Sequence, residues 1–200
     1  MTQRESGEGP LNAQGESSRM ELVPGAPDGN KAPLDPLAPE SRPGGRHLHA
    51  LTLVQPWAWC ISHGPKRVEN REWSLDWLVG HYFAIHAGKK YDDAAAVNLA
   101  LGWRALGLQG PPPGEESITL GAIVAVAKLA KFVNRAPYWK SSTQEDPWFS
   151  GPIGWVLEDV QAIEPVPCRG YQKLWTVPHP IAEQVRERWR LARQTKEAPP

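Results

Sequence analysis

Residues 51–73 read LTLVQPWAWCISHGPKRVENREW and combine several signals of local structure in one short segment. Leu51 to Val54 is an apolar run that favours a short buried strand. Pro56 suits the first turn of a helix, where its missing N–H costs nothing. The Gly64-Pro65 pair must then end that helix. The segment therefore predicts a strand, a short helix and a charged stretch that begins at Lys66.

The charged stretch from Lys66 to Trp73 is the first candidate for a functional site. In an extended conformation one face carries Arg67, Glu69, Arg71 and Trp73, and the other carries Val68, Asn70 and Glu72. Neither face is apolar, so the stretch either lies at a sheet edge or lines a polar cleft, and the tryptophan beside alternating charges favours the cleft. Converging Lys, Glu and Arg side chains indicate a site, although structural ion-pair networks give the same pattern.

These residues resemble the signature of a known family, the ASCH domain (activating signal cointegrator homology). The similarity lies in Gln55-Pro56-Trp57-Ala58 followed by Gly64-x-Lys66-x-x-Glu69-x-Arg71. Three later segments also resemble its tryptophan-rich branch: GAIVAVA from residue 121, GWVL from residue 154 and KLWTV from residue 173. The resemblance covers about residues 47–180. It implies an α+β, PUA-like fold, a small β-barrel with inserted helices, whose relatives mostly bind RNA or other nucleic acid.

Composition divides the chain into three regions. Residues 1–46 are rich in Gly, Pro, Ser and Glu and contain no aromatic residue, so we predict a disordered tail. Residues 47–180 form the predicted ASCH-like domain. Residues 181–200 form the predicted C-terminal helix and a short tail.

Charge and targeting signals exclude some classes of function. Of the 22 Lys and Arg residues 5 lie in residues 1–46, and of the 22 Asp and Glu residues 7 lie there, so the remainder is basic by only two charges. That excess allows only a local phosphate-binding patch. The sequence shows no signal-peptide pattern and no apolar run that could span a membrane, which predicts a soluble, cytoplasmic protein without membrane contact. Cys60 and Cys168 are then expected to be reduced, buried thiols.

Periodicity predicts further strands and helices. Strands are expected at residues 81–87, 120–129, 153–160 and 172–177, and a helix at residues 91–107. A turn at residues 165–170 is expected to project Arg169. The C-terminal helix begins near Pro180 and presents its docking stripe at Ile181, Val185, Trp189 and Ala192. Its Arg186, Arg190 and Arg193 are expected on a solvated face, where Glu183 and Glu187 pair with the first two; the alternative is that this basic stripe binds phosphates.

The loop at residues 134–151 is long, polar and rich in aromatic residues. It holds Tyr138, Trp139, Trp148 and Phe149. Exposed aromatic rings on such a loop suit base stacking, and the equally weighted alternative is that Trp148 and Phe149 plug one end of the barrel. His86 is expected to point away from the Ile85 face, either into the cleft that holds Glu69 or as a hydrogen-bonded residue at a strand end.

The favoured hypothesis is a binding module for RNA or single-stranded nucleic acid, or for a nucleoside-like small molecule, with no cofactor. Arg71 and Lys66 would contact phosphate or a base edge, and Glu69 would accept from an exocyclic amine. The tryptophans would stack on a base. The predicted ligand-binding residues are Trp57, Lys66, Glu69, Arg71, Trp73, His86, Trp148 and Arg169.

The alternative is a hydrolase in which Lys66 and Glu69 are catalytic. The resemblance extends to small bacterial amidohydrolases that deacylate a modified cytidine with a Lys, a Thr and a Glu. Lys66 matches that Lys, but Glu69 stands where the Thr nucleophile is expected, and Ser62 and Ser74 are out of register. A metal-dependent ribonuclease is the other enzymatic possibility, with Glu145 and Asp146 as further acids and a divalent metal as cofactor. In a third hypothesis the domain binds a protein or a nucleotide-like effector.

Overall fold

The computed structural model describes residues 47–110, 112–134 and 146–197, with the side chain of residue 197 excepted. The predicted tail at residues 1–46 lies outside these ranges, as do Tyr138, Trp139 and Glu145. Six strands and three α-helices make up the described part, which confirms the α+β class.

The strands form one mixed sheet. They are β1 (His49–Gln55), β2 (Val68–Arg71), β3 (Tyr82–Tyr91), β4 (Ala122–Asn134), β5 (Ile153–Pro167) and β6 (Leu174–Thr176). Their order across the sheet is β2-β5-β4-β3-β1-β6. Only β1 and β3 pair in parallel, in the register Leu51 to Ile85, whereas the other neighbours are antiparallel. The charged stretch thus forms an edge strand, β2, as one of the two predicted alternatives requires.

The sheet curls strongly, so that β2 approaches β1 although three strands separate them in the order. The Nη2 atom of Arg71 in β2 donates to the carbonyl of Thr52 in β1 at 3.3 Å. Inside the curl lies a buried cluster that includes Leu51, Phe83 and Trp155. Residues of β4 alternate between this cluster and a second one outside the curl, which confirms that this strand is buried on both faces.

The first and third helices pack on the sheet, and the second helix packs on the first. Helix α1 (Trp57–Ser62) follows Pro56 directly. Helix α2 (Asp93–Ala105) is capped at its N-terminus by Asp92, whose side chain accepts a hydrogen bond from the Ala95 N–H. Helix α3 (His179–Glu197) packs Val185 and Trp189 into the second cluster. The predicted stripe is therefore present, with Ile181 and Ala192 at its margins.

Two predictions about the C-terminal half are wrong. Strand β5 continues past residue 160 to Pro167, because its long antiparallel pairing with β4 supplies backbone partners that local turn signals do not anticipate. Arg186 is only 5% exposed, so it does not lie on a solvated face. Its guanidinium reaches Glu183 at 2.6 Å, the predicted pairing.

Candidate functional site

Lys66 is held at the base of a cleft by the turn between α1 and β2. Its backbone N–H donates to the Cys60 carbonyl at 3.2 Å, and a Cβ at Gly64 would lie 2.8 Å from that same oxygen, so the turn needs glycine there. Arg67 donates through Nη1 to the carbonyls of Ile61, Gly64 and Lys66 at 2.8–3.2 Å. These bonds fix the turn, and with it the position of the lysine side chain.

Glu69 joins two cations into a buried chain of charges. The Lys66 Nζ lies 3.3 Å from Glu69 Oε2, and the Arg71 Nη2 lies 3.2 Å from Glu69 Oε1. The side chains of Lys66 and Glu69 are only 3% and 11% exposed, while that of Arg71 is 24% exposed. Lys66 Nζ also donates to the Val68 carbonyl. Burying these charges costs desolvation energy, and well-packed apolar side chains often give equal or greater stability at such positions. Stability alone therefore does not explain why the charges are buried here.

Aromatic rings and a helix form the walls of the cleft. Lys66 Nζ lies 5.6 Å from the ring centroid of Trp57, which is half-buried and meets Trp148 edge-on at 6.2 Å. The opposite wall is one side of α2. The cleft encloses about 730 Å³ and is lined by Trp57, Lys66, Glu69, Asn70, Asn98, Leu101, Gly102, Ala105, Pro147, Trp148 and Ser150. We call it the tryptophan cleft.

Asn70 attaches the residues after the undescribed loop segment to β2. Its Nδ2 donates to the Trp148 carbonyl at 2.7 Å, and its Oδ1 accepts from the Ser150 N–H at 3.0 Å. Trp148 itself is only 6% exposed, and a Cβ at Gly102 of α2 would lie 2.5 Å from its ring. Trp148 therefore forms a buried wall, as the plug alternative expects, and Trp57 offers the more accessible ring.

Four of the predicted ligand-binding residues, Arg71 among them, do not line this cleft. Trp73 packs on the core through Trp155, with ring centroids 4.8 Å apart, and its carbonyl accepts from the Trp155 indole. His86 and Arg169 line a separate hollow that Gly170 shares. Arg71 lines the hollow next to that one, so the chain of charges extends from the tryptophan cleft to a second surface.

His86 is buried and neutral near neutral pH, since burial lowers the pKa of its imidazole despite the hydrogen bond with the Cys168 carbonyl. Its Nε2 lies 3.2 Å from that carbonyl oxygen. A Cβ at Gly170 would lie 2.5 Å from Nδ1, so the backbone of the following turn rests directly on the ring. This histidine supports the turn that carries Arg169, in line with the structural alternative for it.

The two cysteines are free thiols, of which Cys60 is buried as predicted and Cys168 is only half-buried. Burial raises the pKa of the Cys60 thiol to about 11, and it also raises that of Cys168, so both thiols are poor nucleophiles. Within the described ranges no three His, Cys, Asp or Glu side chains lie close enough together to hold a metal ion. None of the helices described there is long and apolar enough to cross a membrane.

Sequence reasoning missed Asn70, Asn98 and Ser150 as cleft residues. Alternation along the strand puts Asn70 on the face opposite Glu69, yet both residues line the cleft, where the Asn70 amide bonds the backbone of Trp148 and Ser150. Asn98 and Ser150 come from segments 28 and more residues away, which local patterns do not bring together. The sequence signal that could have identified Asn70 as a cleft residue is its position between the charged residues Glu69 and Arg71 in a predicted edge strand.

Comparisons with known proteins give structural likenesses only. No protein-family model matches the sequence, and no curated protein matches it. Among solved structures, the ASCH protein from Zymomonas mobilis is 14% identical, with a TM-score of 0.42 over 69% of this chain and 92% of that one. Two mutants of that protein are 16% and 15% identical, with TM-scores of 0.41 and 0.40, over 70% of this chain and 94% and 96% of theirs. These are structures of the family that the signature residues resemble, and the function is argued below from the site itself.

Proposed function

We propose that the tryptophan cleft binds one base of a single-stranded RNA, and that the protein is an RNA-binding module. The observation that carries this proposal is the buried Lys66–Glu69 pair beside the ring of Trp57. A nucleobase is a flat ring with polar groups on its edges, and it needs an aromatic face together with a few fixed donors and acceptors.

The pair offers a donor and an acceptor side by side. Glu69 keeps acceptor lone pairs beyond those used by Lys66 and Arg71, and the ammonium of Lys66 has three N–H donors. Cytosine and adenine each present an exocyclic amine next to a ring-nitrogen acceptor, which matches this arrangement. Uracil places an oxygen where the amine would be, and that oxygen would face the carboxylate.

The size and lining of the cleft agree with a nucleotide. About 730 Å³ lies within the range of small-ligand sites, roughly 300–1,000 Å³. One wall carries the apolar side chain of Leu101, while Asn98 and Ser150 supply polar groups at the opening. A cleft that combines apolar and aromatic walls with several polar groups fits a base with its sugar.

A titration of tryptophan fluorescence tests the proposal. Cytidine, adenosine, uridine and single-stranded RNA and DNA oligonucleotides are added in turn, and each mixture is assayed for product afterwards. We expect saturable quenching by cytidine or adenosine and binding of uridine that is weaker by about fivefold or more, since a good base-edge pair discriminates by about 1–3 kcal/mol. Equal affinity for the three nucleosides, or no binding of any of them, would overturn the proposal.

A hydrolase is the second candidate function, and Ser150 is the observation that favours it. The sequence offers no hydroxyl in register with Lys66, but the exposed Ser150 lines the same cleft as Lys66 and Glu69. A serine beside a carboxylate that can accept its proton is an arrangement for acyl transfer, in which the acyl group of an acylated cytidine passes to the serine oxygen and water then releases it. Deacylated product that disappears in Ser150→Ala, while binding persists, would establish this activity. Intact substrate after prolonged incubation would exclude it.

A further inference from the structure

A second, basic surface adjoins the tryptophan cleft at Arg71. It consists of two hollows of about 690 and 550 Å³ that share Thr52, Arg169 and Gly170. Four cationic residues line them, and the described lining contains no Asp or Glu. The cations are Arg71, Lys89, Arg169 and Lys173. We call the two hollows together the basic groove. In a chain of zero formal net charge, such a cluster concentrates positive potential locally.

The groove is built on rigid elements. Its floor is Thr52 of β1, whose carbonyl accepts from Arg71 and whose hydroxyl accepts from the Trp175 indole at 3.0 Å. The turn that carries Arg169 rests on the buried His86 ring through Gly170. Packing therefore fixes the backbone from which the cationic side chains extend, whereas the side chains of Lys89, Arg169 and Lys173 are themselves exposed.

Arg71 connects the two sites physically. Its Nη2 lies 3.2 Å from Glu69, which also contacts Lys66 in the tryptophan cleft, and the rest of the guanidinium lines the groove. The buried Nε–H of this side chain has no hydrogen-bond partner among the described residues. The described residues therefore leave part of the guanidinium unsatisfied.

We infer that the basic groove binds the phosphates of the same RNA strand whose base enters the tryptophan cleft, so that the strand passes over Arg71. This inference rests on the proposed function. Phosphate oxygens bind Arg and Lys strongly, and phosphate contacts set the position of a strand while base contacts set its specificity. A groove with four cations and no carboxylate in its described lining complements consecutive phosphates, whereas the tryptophan cleft complements one base.

The test uses the double variant Lys89→Ala/Lys173→Ala, whose two lysines lie in different hollows of the groove and outside the tryptophan cleft. The matched control is Lys131→Ala/Lys196→Ala, which removes two exposed lysines that line neither site. Binding of a labelled single-stranded RNA is measured by fluorescence anisotropy between about 50 and 200 mM salt. Binding of cytidine to the wild type and to both double variants is measured by calorimetry. Thermal midpoints confirm that all three proteins are folded.

The expected loss follows from counterion release. Each phosphate contact on a single strand contributes about 0.7 to the slope of log affinity against log salt. The groove variant should therefore show a slope smaller in magnitude by about 1.4, and a loss of RNA affinity of about 25-fold near 0.1 M salt. Cytidine affinity should stay unchanged, and the control variant should behave like the wild type in both assays.

The outcomes separate this inference from the proposed function. Unchanged RNA affinity and salt slope in the groove variant, with cytidine still bound, overturn the groove assignment and leave the base-binding cleft standing. Failure of the wild type to bind both cytidine and RNA overturns the proposed function and the groove assignment together. Competition by polyglutamate as effective as competition by RNA would overturn the phosphate assignment and identify an acidic peptide as the ligand.

Discussion

Replacing Glu69 with Gln should reveal how strongly the buried charges depend on one another. The substitution keeps the size of the side chain but removes the negative charge between Lys66 and Arg71 and replaces one of the two acceptor oxygens with an NH2 donor. Lys66 is only 2% exposed, so its ammonium would remain buried without a counter-ion. Removing one partner of such a pair costs about 3–5 kcal/mol.

Solvent screening affects the two cations differently. The side chain of Lys66 is 3% exposed and is hardly screened, whereas that of Arg71, at 24%, recovers part of its hydration. We therefore expect about 3 kcal/mol, the lower end of the range, for Glu69→Gln. For a folded region of this size, each kcal/mol lowers the thermal midpoint by about 3 °C, which gives a loss of roughly 9 °C.

A double-mutant cycle with Lys66→Met separates pairing from packing. Methionine has a similar length and no charge, so the double variant should recover at least half of the loss seen in Glu69→Gln, because no buried charge is left unpaired in that pair. Urea unfolding at neutral pH measures all four proteins. A cost below about 1 kcal/mol for Glu69→Gln, or additive losses in the double variant, would refute the description of Lys66 and Glu69 as a desolvated pair.

Three further predictions concern neighbouring features. Arg71→Ala should weaken RNA binding and leave the thermal midpoint nearly unchanged, because the side chain is partly exposed and Lys66 still neutralises Glu69; unfolding of this variant would show that the cluster is structural. Gly102→Ala should destabilise the protein by about 1–3 kcal/mol in urea, since its Cβ would overlap the Trp148 ring, and a gain in stability from helix propensity would contradict that packing. Burial, followed by the hydrogen bond to Asp159, raises the pKa of Tyr82 to about 12 from an ordinary value of 10.0. The folded state therefore holds this proton longer than the unfolded state, so stability from this group is complete below pH 10 and is lost as the pH rises toward 12. Tyr82→Phe should flatten that alkaline limb of the pH–stability curve, and an unchanged limb would argue against the shift.

The sequence was sufficient where local chemistry dictates structure. Pro56 and Gly64-Pro65 delimit α1 correctly, and the Asp92 cap and the alanine-rich run place α2 within two residues of the predicted limits. The nearly continuous apolar run at residues 120–129 identifies a strand buried on both faces, although the strand in the structure, β4, extends from Ala122 to Asn134. In each case the signal and the structure that it specifies lie within about one turn or one strand of chain.

The spatial grouping of the site residues could not be read in the same way. Trp73 and Trp155 meet although they are 82 residues apart in sequence, and this contact removes Trp73 from the cleft. Arg71 and Arg169 line the same hollow. Their proximity depends on the order of the strands in the curled sheet and not on the spacing of the two residues in the sequence. Trp148 is buried because Gly102 of α2 leaves room for its ring. Such contacts depend on tertiary packing, which periodicity does not encode.

The most direct test of the base-binding cleft is a titration of the indole N–H signals of the protein by NMR with cytidine as ligand. The indole of Trp57 lies at the cleft beside Lys66, whereas that of Trp189, which α3 packs into the second cluster, is buried and serves as an internal control. We predict that the Trp57 signal shifts and saturates, that the Trp189 signal does not move, and that Glu69→Gln weakens the effect. A Trp57 signal that stays fixed while cytidine is present in excess would contradict the proposal that this cleft receives a base.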